Sequence, residues 1–566
     1  MSTSTVPVPQ RTPQFAPRRA ADLFVEALAD LGIDLCLGIP GGAISPVYDA
    51  LLDTSAVRVV QTRHEAAAVF AAGAYGRQTG RPALVLVTSG PGVLNTVNAL
   101  ASVSRDGLPL VLVAGEVPQK RQGRGALQDG SAHDLDIAGV VRSLVKHVHV
   151  VVSAEGLVPA LHEATRRAMT PPCGPVVLTV SPDVLTAKTA PTRVLPVHAP
   201  PPTLPDVSEV VQTLTRAHDV LIFAGSGCRP GSGPDALCAL AEQLNARVVT
   251  SPKAKGVFPE THPLARGIHG VGGHPSATET LEGGADVLLV LGSSLGELAT
   301  AGWAPRLTAA TTVIQVDPNG LVTGRSLPVS IAVPTTVDVF AAAILPALRS
   351  TPDSPPPGRL RRLPRGSSRS DLLHPVDVTR ELQHAMPPDT VWAVDSGEHT
   401  FAALQHLIID DPTAWLAMLG LGSMGSGIAG ALGLALAHPD RPVGCICGDG
   451  GMLMSLGELA TAAAEGIPVR WFVFDDGRLG MVAHGHNALF GRTHPFTTAP
   501  GDLAGVAESL GVRAHVVRRP GDLMDLATEL AEHDGPMLID ILIDPEPAMP
   551  KGGRLSTLSD NRQEAS

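Results

Sequence analysis

A chain of 566 residues is too long for a single hydrophobic core, so roughly two to four domains are expected. With 44% apolar and 17% charged residues, the composition is that of a globular protein and excludes a disordered one. A formal charge of −12 without any Lys/Arg cluster argues against a nucleic-acid partner.

The first 17 residues lie in a Pro-rich stretch without an apolar signal-peptide core, and read as a disordered arm. No apolar run reaches the roughly 18 residues of a membrane span, so no membrane association is expected. The cysteines (36, 173, 228, 238, 445 and 447) are dispersed and lack zinc spacing. They read as a reduced thiol set in a cytoplasmic protein.

Along the chain, buried apolar runs alternate with amphipathic helical stretches, the signature of βαβ units. Pro-rich breaks at 194–205 and 350–370 divide the pattern into blocks at 18–190, 203–349 and 371–550, with a polar, mobile tail at 551–566. The apolar runs include 83–88, 108–114 and 175–180 in the first block. Those of the second include 220–224, 246–250, 287–291 and 312–316, and those of the third 390–394, 442–447, 469–474 and 537–543. The expected fold class is α/β, with three doubly wound parallel-sheet domains.

The densest signal is GDGGMLMSLGELATAAAEGIPVRWFVFDDGRLGM at 448–481. An apolar run ends in Gly448-Asp449-Gly450-Gly451. A helical pattern and a second apolar run follow, and the latter ends in Asp475-Asp476. Two parallel strands thus carry oxygen donors to one sheet edge, where open α/β sheets bind ligands. Glycines let backbone N–H groups approach a phosphate, and hard oxygen donors suit Mg²⁺ shared with it. Physical chemistry alone reads this as a Mg-diphosphate site.

The unit resembles the thiamine diphosphate (ThDP) motif, which begins GDG and ends Asn-Asn where this chain has Asp475-Asp476. In the first block, GIPGGAISPVYDALL (38–52), TRHEAAAVFAAGAYGRQTGRP (62–82) and VTSGPGVLNTVNAL (87–100) resemble the pyrimidine-binding domain of acetolactate synthase and its relatives. The resemblance implies that Glu65 is the carboxylate that hydrogen-bonds the aminopyrimidine and makes the cofactor's own amine a base. It places Gly42 against the reaction centre. Gln128, in GALQD, falls on a glutamine that contacts the acceptor, with Leu127 where the family has Phe. Asn95 is left open between capping a helix and touching cofactor.

In the third block, LGLGSMGSGIAGALGLALA (419–437) resembles the segment that bends ThDP, with Met424 as the wedge and the Gly422 carbonyl as an acceptor. AVDSGEHTF (393–401) matches the loop on the diphosphate, at Gly397, Glu398 and His399. The resemblance gives the metal to Asp449, Asp476 and the Arg478 carbonyl. Asp476 departs from the family's Asn. In LGMVAHGHNALFGR (479–492), expected as a loop, Met481 contacts cofactor or substrate, and Gly485 replaces an acceptor-pocket Trp between His484 and His486.

Acetolactate synthases bind FAD in the middle domain. Here GSSLGELATAGW (292–303) lacks their Arg-Phe-Asp-Asp-Arg-like segment, GIHGVGGH (267–274) keeps only part of their Gly-rich loop, and no GxGxxG opens a helix, which argues against FAD. The resemblance therefore implies a ThDP- and Mg²⁺-dependent carboligase. It would decarboxylate a 2-oxo acid, foremost pyruvate, and join the remainder to an acceptor carbonyl. The competing readings are a plain 2-oxo-acid decarboxylase or lyase for larger substrates, and a catalytically silent ThDP-binding subunit. In the family Glu65 of one protomer faces cofactor held by the other, which implies a homodimer or homotetramer.

Overall fold

The computed structural model describes residues 16–191, 205–303, 307, 310, 312–348, 358–362, 364, 372–499 and 501–548. Most of the expected arm (1–17), of the 194–205 break and of the 350–370 linker, and the whole tail (551–566), lie outside these residues.

Each block builds one six-stranded parallel sheet. The first contains β1 (Leu35–Gly38), β2 (Arg58–Gln61), β3 (Ala83–Val87), β4 (Leu110–Gly115), β5 (His147–Val151) and β6 (Pro175–Val180), in the order β2-β1-β3-β4-β6-β5. The second contains β7 (Val220–Ala224), β8 (Arg247–Thr250), β9 (Ala265–Ile268), β10 (Val287–Leu291), β11 (Thr312–Val316) and β12 (Ile331–Val333), in the order β9-β8-β7-β10-β11-β12. The third contains β13 (Val391–Val394), β14 (Trp415–Ala417), β15 (Val443–Gly448), β16 (Val469–Asp475), β17 (Arg513–Val517) and β18 (Met537–Leu542), in the order β14-β13-β15-β16-β18-β17.

The first and third sheets thus share one topology although their sequences show no repeat. Their central strands, such as ALVLV in β3 and VRWFVFD in β16, are buried along their whole length. That burial fits strands covered by helices on both faces. In both sheets the order reverses between the first and third strands, which is where doubly wound folds leave a crevice for ligands.

Six helices position the site: α1 (Glu65–Thr79), α2 (His399–His406), α3 (Ser426–Ala437), α4 (Asp449–Ser455), α5 (Gly457–Glu465) and α6 (Gly480–Phe490). α1 and α3 pack on each other, and one apolar core runs from Ala67–Ala74 of the first domain into Ile428–Ala435 of the third. Small residues make this approach possible: a Cβ on Gly433 would lie 2.0 Å from the Ala71 carbonyl oxygen. The helical stretch after Asp449 breaks at Leu456 into α4 and α5. The 479–492 segment, expected as a loop, is mostly the helix α6, capped by Gly491 at φ +68°.

The middle domain is tied to the third by a buried ion pair. Lys255 Nζ lies 2.7 and 2.8 Å from the two Glu260 oxygens and donates to the Leu404 carbonyl at 3.0 Å. Glu260 also accepts the Ile409 N–H at 2.9 Å, so each charge is fully hydrogen-bonded, as burial requires.

Candidate active site

The larger cleft, about 570 Å³, opens at the carboxyl edge of the third sheet. Ser396, Gly397, Glu398 and His399 follow β13, and Gly448, Asp449, Gly450 and Gly451 follow β15. Asp476, Arg478 and Met481 follow β16, while Gly422 and Met424 close one side. The residues expected to hold a diphosphate and a metal are therefore brought together at the switch point. The far wall comes from the middle domain, through Ser251, Pro252, Lys253 and Leu298.

Backbone packing explains several of the glycines. A Cβ on Gly427 would lie 2.5 Å from the Asp395 amide nitrogen, and one on Gly451 would lie 2.5 Å from Asp395 Oδ2. Asp395, which sequence reading did not single out, is fully buried and accepts the Gly425 and Gly427 N–H groups, each at 2.9 Å. It thereby fixes the start of α3, and with it Met424. Burial pushes its carboxyl up to about 6. His399 Nε2 lies 3.0 Å from the Asp395 carbonyl, so that nitrogen is the donor and carries the hydrogen. Burial holds His399 down to about 4 and keeps the ring neutral near pH 7.

The cleft's acids are electrostatically loaded. Burial raises Asp449 to about 7, and Asp476 and Asp475 add repulsion. Burial raises Asp476 to about 6. The Thr498 hydroxyl donates to Asp449, a contact the sequence did not signal. Arg478, whose Nε is 3.8 Å away, partly offsets the Asp476 charge. The Arg478 carbonyl accepts the Gly480 N–H at 3.0 Å. Among the described residues no three His, Cys, Asp or Glu side chains form a metal cage. The cleft instead offers two under-neutralised carboxylates, a donor set that fits a hard divalent cation completed by carbonyl and phosphate oxygens.

The first sheet carries a second cavity, of about 490 Å³, at its own carboxyl edge. Gly42, Glu116, Leu127 and Gln128 line it. A Cβ on Gly42 would meet nothing within 4 Å, so this glycine borders open space. Leu127 is 89% exposed. Gln128 sits at φ +64°, a left-handed conformation that costs a non-glycine residue roughly 1–3 kcal/mol and concentrates at functional sites. Glu65 begins α1 and is buried, and Asn95 Nδ2 donates to its Oε2 at 2.9 Å. Glu65 lines neither cavity.

Three expected pocket residues stand elsewhere. His484, on α6, is 3.4 Å from Glu398 and lies 3.0 Å from the Pro545 carbonyl. His486 packs on Phe490 at 4.6 Å and lies 2.7 Å from the Arg492 carbonyl. Neither they nor Gly485 line the two cavities. Their placement follows from α6, which turns successive side chains to different sides.

A glycine-walled cradle with paired acids on one sheet, and a buried glutamate on a second sheet of the same topology, define an α/β enzyme that works through a diphosphate cofactor. Family models match the chain three times: the thiamine pyrophosphate enzyme N-terminal TPP binding domain at 18–136, the central domain at 207–344 and the C-terminal TPP binding domain at 395–541. The chain belongs to the thiamine pyrophosphate enzymes. The acetolactate synthase large subunit of Corynebacterium glutamicum is 30% identical over 554 residues, covering 93% of this chain and 87% of that protein. Acetolactate synthase isozyme 1 large subunit of Escherichia coli is 30% identical over 548 residues, covering 94% and 96%. The solved Rhodococcus jostii RHA1 thiamine diphosphate-dependent 4-hydroxybenzoylformate decarboxylase matches with a TM-score of 0.83 over 93% of this chain and 99% of that one. At 24% identity that likeness shows the fold.

Among the described residues no helix is long and apolar enough to cross a membrane. All six cysteines are free thiols.

Proposed function

We propose that this enzyme is a carboligase that decarboxylates a 2-oxo acid, with pyruvate the first candidate, and joins the remaining acyl unit to an acceptor carbonyl. The observation that carries this reading is the buried Glu65, held by Asn95 at the head of α1 in a chain similar to acetolactate synthases. A silent subunit would have no use for that carboxylate.

Thiamine diphosphate, when bound, supplies the carbon nucleophile and the electron sink. The chain's own residues do the rest. The Gly448–Gly451 turn would offer backbone donors to the diphosphate, Gly397 and the neutral His399 ring would border it, and Met424 and Gly422 would shape the wall against the thiazolium. Asp449, Asp476 and the Arg478 carbonyl would hold Mg²⁺, whose charge offsets the repulsion between the two acids. Glu65 holds a proton at the pyrimidine ring nitrogen. Gln128 and Leu127 border the space for the acceptor.

The two half-sites open into different cavities of one chain, and Glu65 reaches neither. This supports a homodimer or homotetramer in which the first-sheet half of one protomer meets the third-sheet half of its partner. In the middle domain, the switch point between β7 and β10 is occupied by its own backbone. Gly227 N–H donates to the Gly292 carbonyl at 2.9 Å, and a Cβ on Gly225 would lie 2.2 Å from the same oxygen. That closure supports a FAD-free enzyme, which an absorption spectrum of the purified protein tests.

The test of function is CO₂ release from pyruvate with ThDP and Mg²⁺, with the products identified by mass spectrometry. Acetolactate or another acyloin supports the carboligase. Free aldehyde as the sole product favours the decarboxylase reading, and no release from a panel of 2-oxo acids sinks both.

A further inference from the structure

Glu116 directly follows β4 and is 7% exposed. Its two oxygens are treated very differently. Oε1 receives the Val117 N–H at 2.8 Å and the Gly130 N–H at 3.0 Å, while the Ser89 hydroxyl, 2.9 Å away, has its one hydrogen shared with the Gln128 carbonyl at 2.6 Å. Oε2 receives none among the described residues, and Glu116 lines the first-sheet cavity beside Gly42 and Gln128. Gly130 keeps the space beside Oε2 clear, since a Cβ there would lie 2.9 Å from that oxygen. Arg121 and Arg124 line the same cavity, yet neither forms an ion pair with Glu116 among the described residues.

Oε2 borders the cavity, so a ligand that displaces the cavity's water must return a donor to it, because a carboxyl oxygen left without one is costly. The two backbone N–H bonds to Oε1 fix the group's orientation, and that orientation presents Oε2 to the cavity as an acceptor. The missing donor must come from what fills the cavity. The two arginines on the same wall disfavour a cationic ligand, and the carboxyl itself disfavours an anionic group placed against it. A neutral hydroxyl satisfies both constraints.

We propose that Glu116 is a specificity-determining residue of the acceptor half-site. Its Oε2 accepts a hydrogen bond from a hydroxyl on the acceptor, so the acceptors are hydroxylated carbonyl compounds such as 2-hydroxyaldehydes. This inference rests on the carboligase reading above.

The test compares glycolaldehyde with methoxyacetaldehyde as acceptors for pyruvate-derived acyl units, in wild type and Glu116→Gln. The two N–H donors at Oε1 force the carboxamide oxygen to that position, so its NH₂ group replaces Oε2. An acceptor atom becomes a donor atom, which serves an ether and a hydroxyl oxygen alike. The kcat/KM ratio of glycolaldehyde to methoxyacetaldehyde is expected to fall about tenfold or more in the variant, the scale of one hydrogen bond to a carboxylate. Acceptor-free CO₂ release and ThDP binding should match wild type, which also certifies folding. An unchanged ratio with intact CO₂ release overturns the role of Glu116 and leaves the carboligase standing. Wild-type CO₂ release without ligation to either aldehyde overturns this inference alone, since acetolactate formation still supports the carboligase; no release from any of the 2-oxo acids overturns the carboligase reading and this inference with it.

Discussion

The Glu458 carboxylate accepts the His64 N–H at 3.0 Å, and the same oxygen takes the Arg63 N–H at 3.2 Å. A side chain of α5 in the third domain thus sets the chain position from which Glu65 starts α1. Its other oxygen is held by Thr461 at 2.8 Å, and the residue is 2% exposed. Glu458→Ala strands two amides and should destabilise the protein by roughly 2–3 kcal/mol while displacing Glu65. Glu458→Gln keeps an oxygen for both amides and should remain close to wild type. Urea unfolding and turnover, measured on both variants, decide this. Equal stability of the Ala variant and wild type would show that the contact does not hold the two domains in register.

Glu65→Gln should lower turnover by about 10²–10⁴-fold, the range of a lost proton-transfer group, and leave ThDP affinity nearly unchanged. The amide can still pair with Asn95, so the fold is not at stake. Turnover and a ThDP titration on the same preparation separate chemistry from binding, and a fully active variant would remove Glu65 from the mechanism.

Asp449 and Asp476 are raised to about 7 and about 6 in the folded protein. Their contribution to stability is therefore complete below the unfolded value of about 4, and is lost as pH climbs through about 6 and then about 7. In chelator the melting temperature should fall between about pH 4 and about pH 7, and Asp449→Asn should flatten that fall. With Mg²⁺ and ThDP the trend should reverse, because the cation competes with those protons. Identical slopes for wild type and Asp449→Asn in chelator would refute the assignment.

Two glycine-to-alanine changes should act with opposite sign. Gly433→Ala forces a methyl to within 2.0 Å of the Ala71 carbonyl and should cost about 1–3 kcal/mol by parting α1 from α3. Gly485→Ala, inside α6 with nothing outside the helix's own local backbone within 4 Å of the added carbon, should stabilise by about 0.5–1 kcal/mol through helix propensity. Thermal unfolding of the pair reads both signs in one experiment.

Much of this architecture is legible in the sequence, for a physical reason. The apolar runs read from it are the central strands, buried on both faces. The edge strands Arg58–Gln61, His147–Val151, Ala265–Ile268, Ile331–Val333, Trp415–Ala417 and Arg513–Val517, and the inner strand Leu35–Gly38, are not among those runs, because most carry Arg, His, Gln or Gly and the others are only three residues long. The cleft at the third sheet is legible because the residues that line it lie within short segments at strand ends. Asp395 bonding to Gly425 and Gly427, Thr498 to Asp449, and Glu458 to His64 are not, because each pair meets only once the chain has folded. α6 was hidden by Gly480, Gly485 and Gly491, which read as loop residues until α6 is seen to begin at the first and be capped by the last.

Asp476 is where the chain departs from the family motif, and its effect can be isolated. Its charge raises Asp449, and Arg478 Nε, 3.8 Å away, compensates only in part. Asp476→Asn keeps an oxygen for the cation and removes a negative charge beside both Asp449 and the diphosphate. Asp449 should then lose its proton at lower pH. Two outcomes follow: tighter Mg-ThDP binding near pH 6, by about tenfold if one pKa unit is recovered, and a smaller gain near pH 8, where both acids have already ionised. Calorimetric titration at the two pH values measures the difference. If the gain is the same at both, the extra charge acts on the diphosphate alone and not through Asp449. If affinity falls, the second carboxylate is required for the cation, and the departure from Asn serves binding in this enzyme.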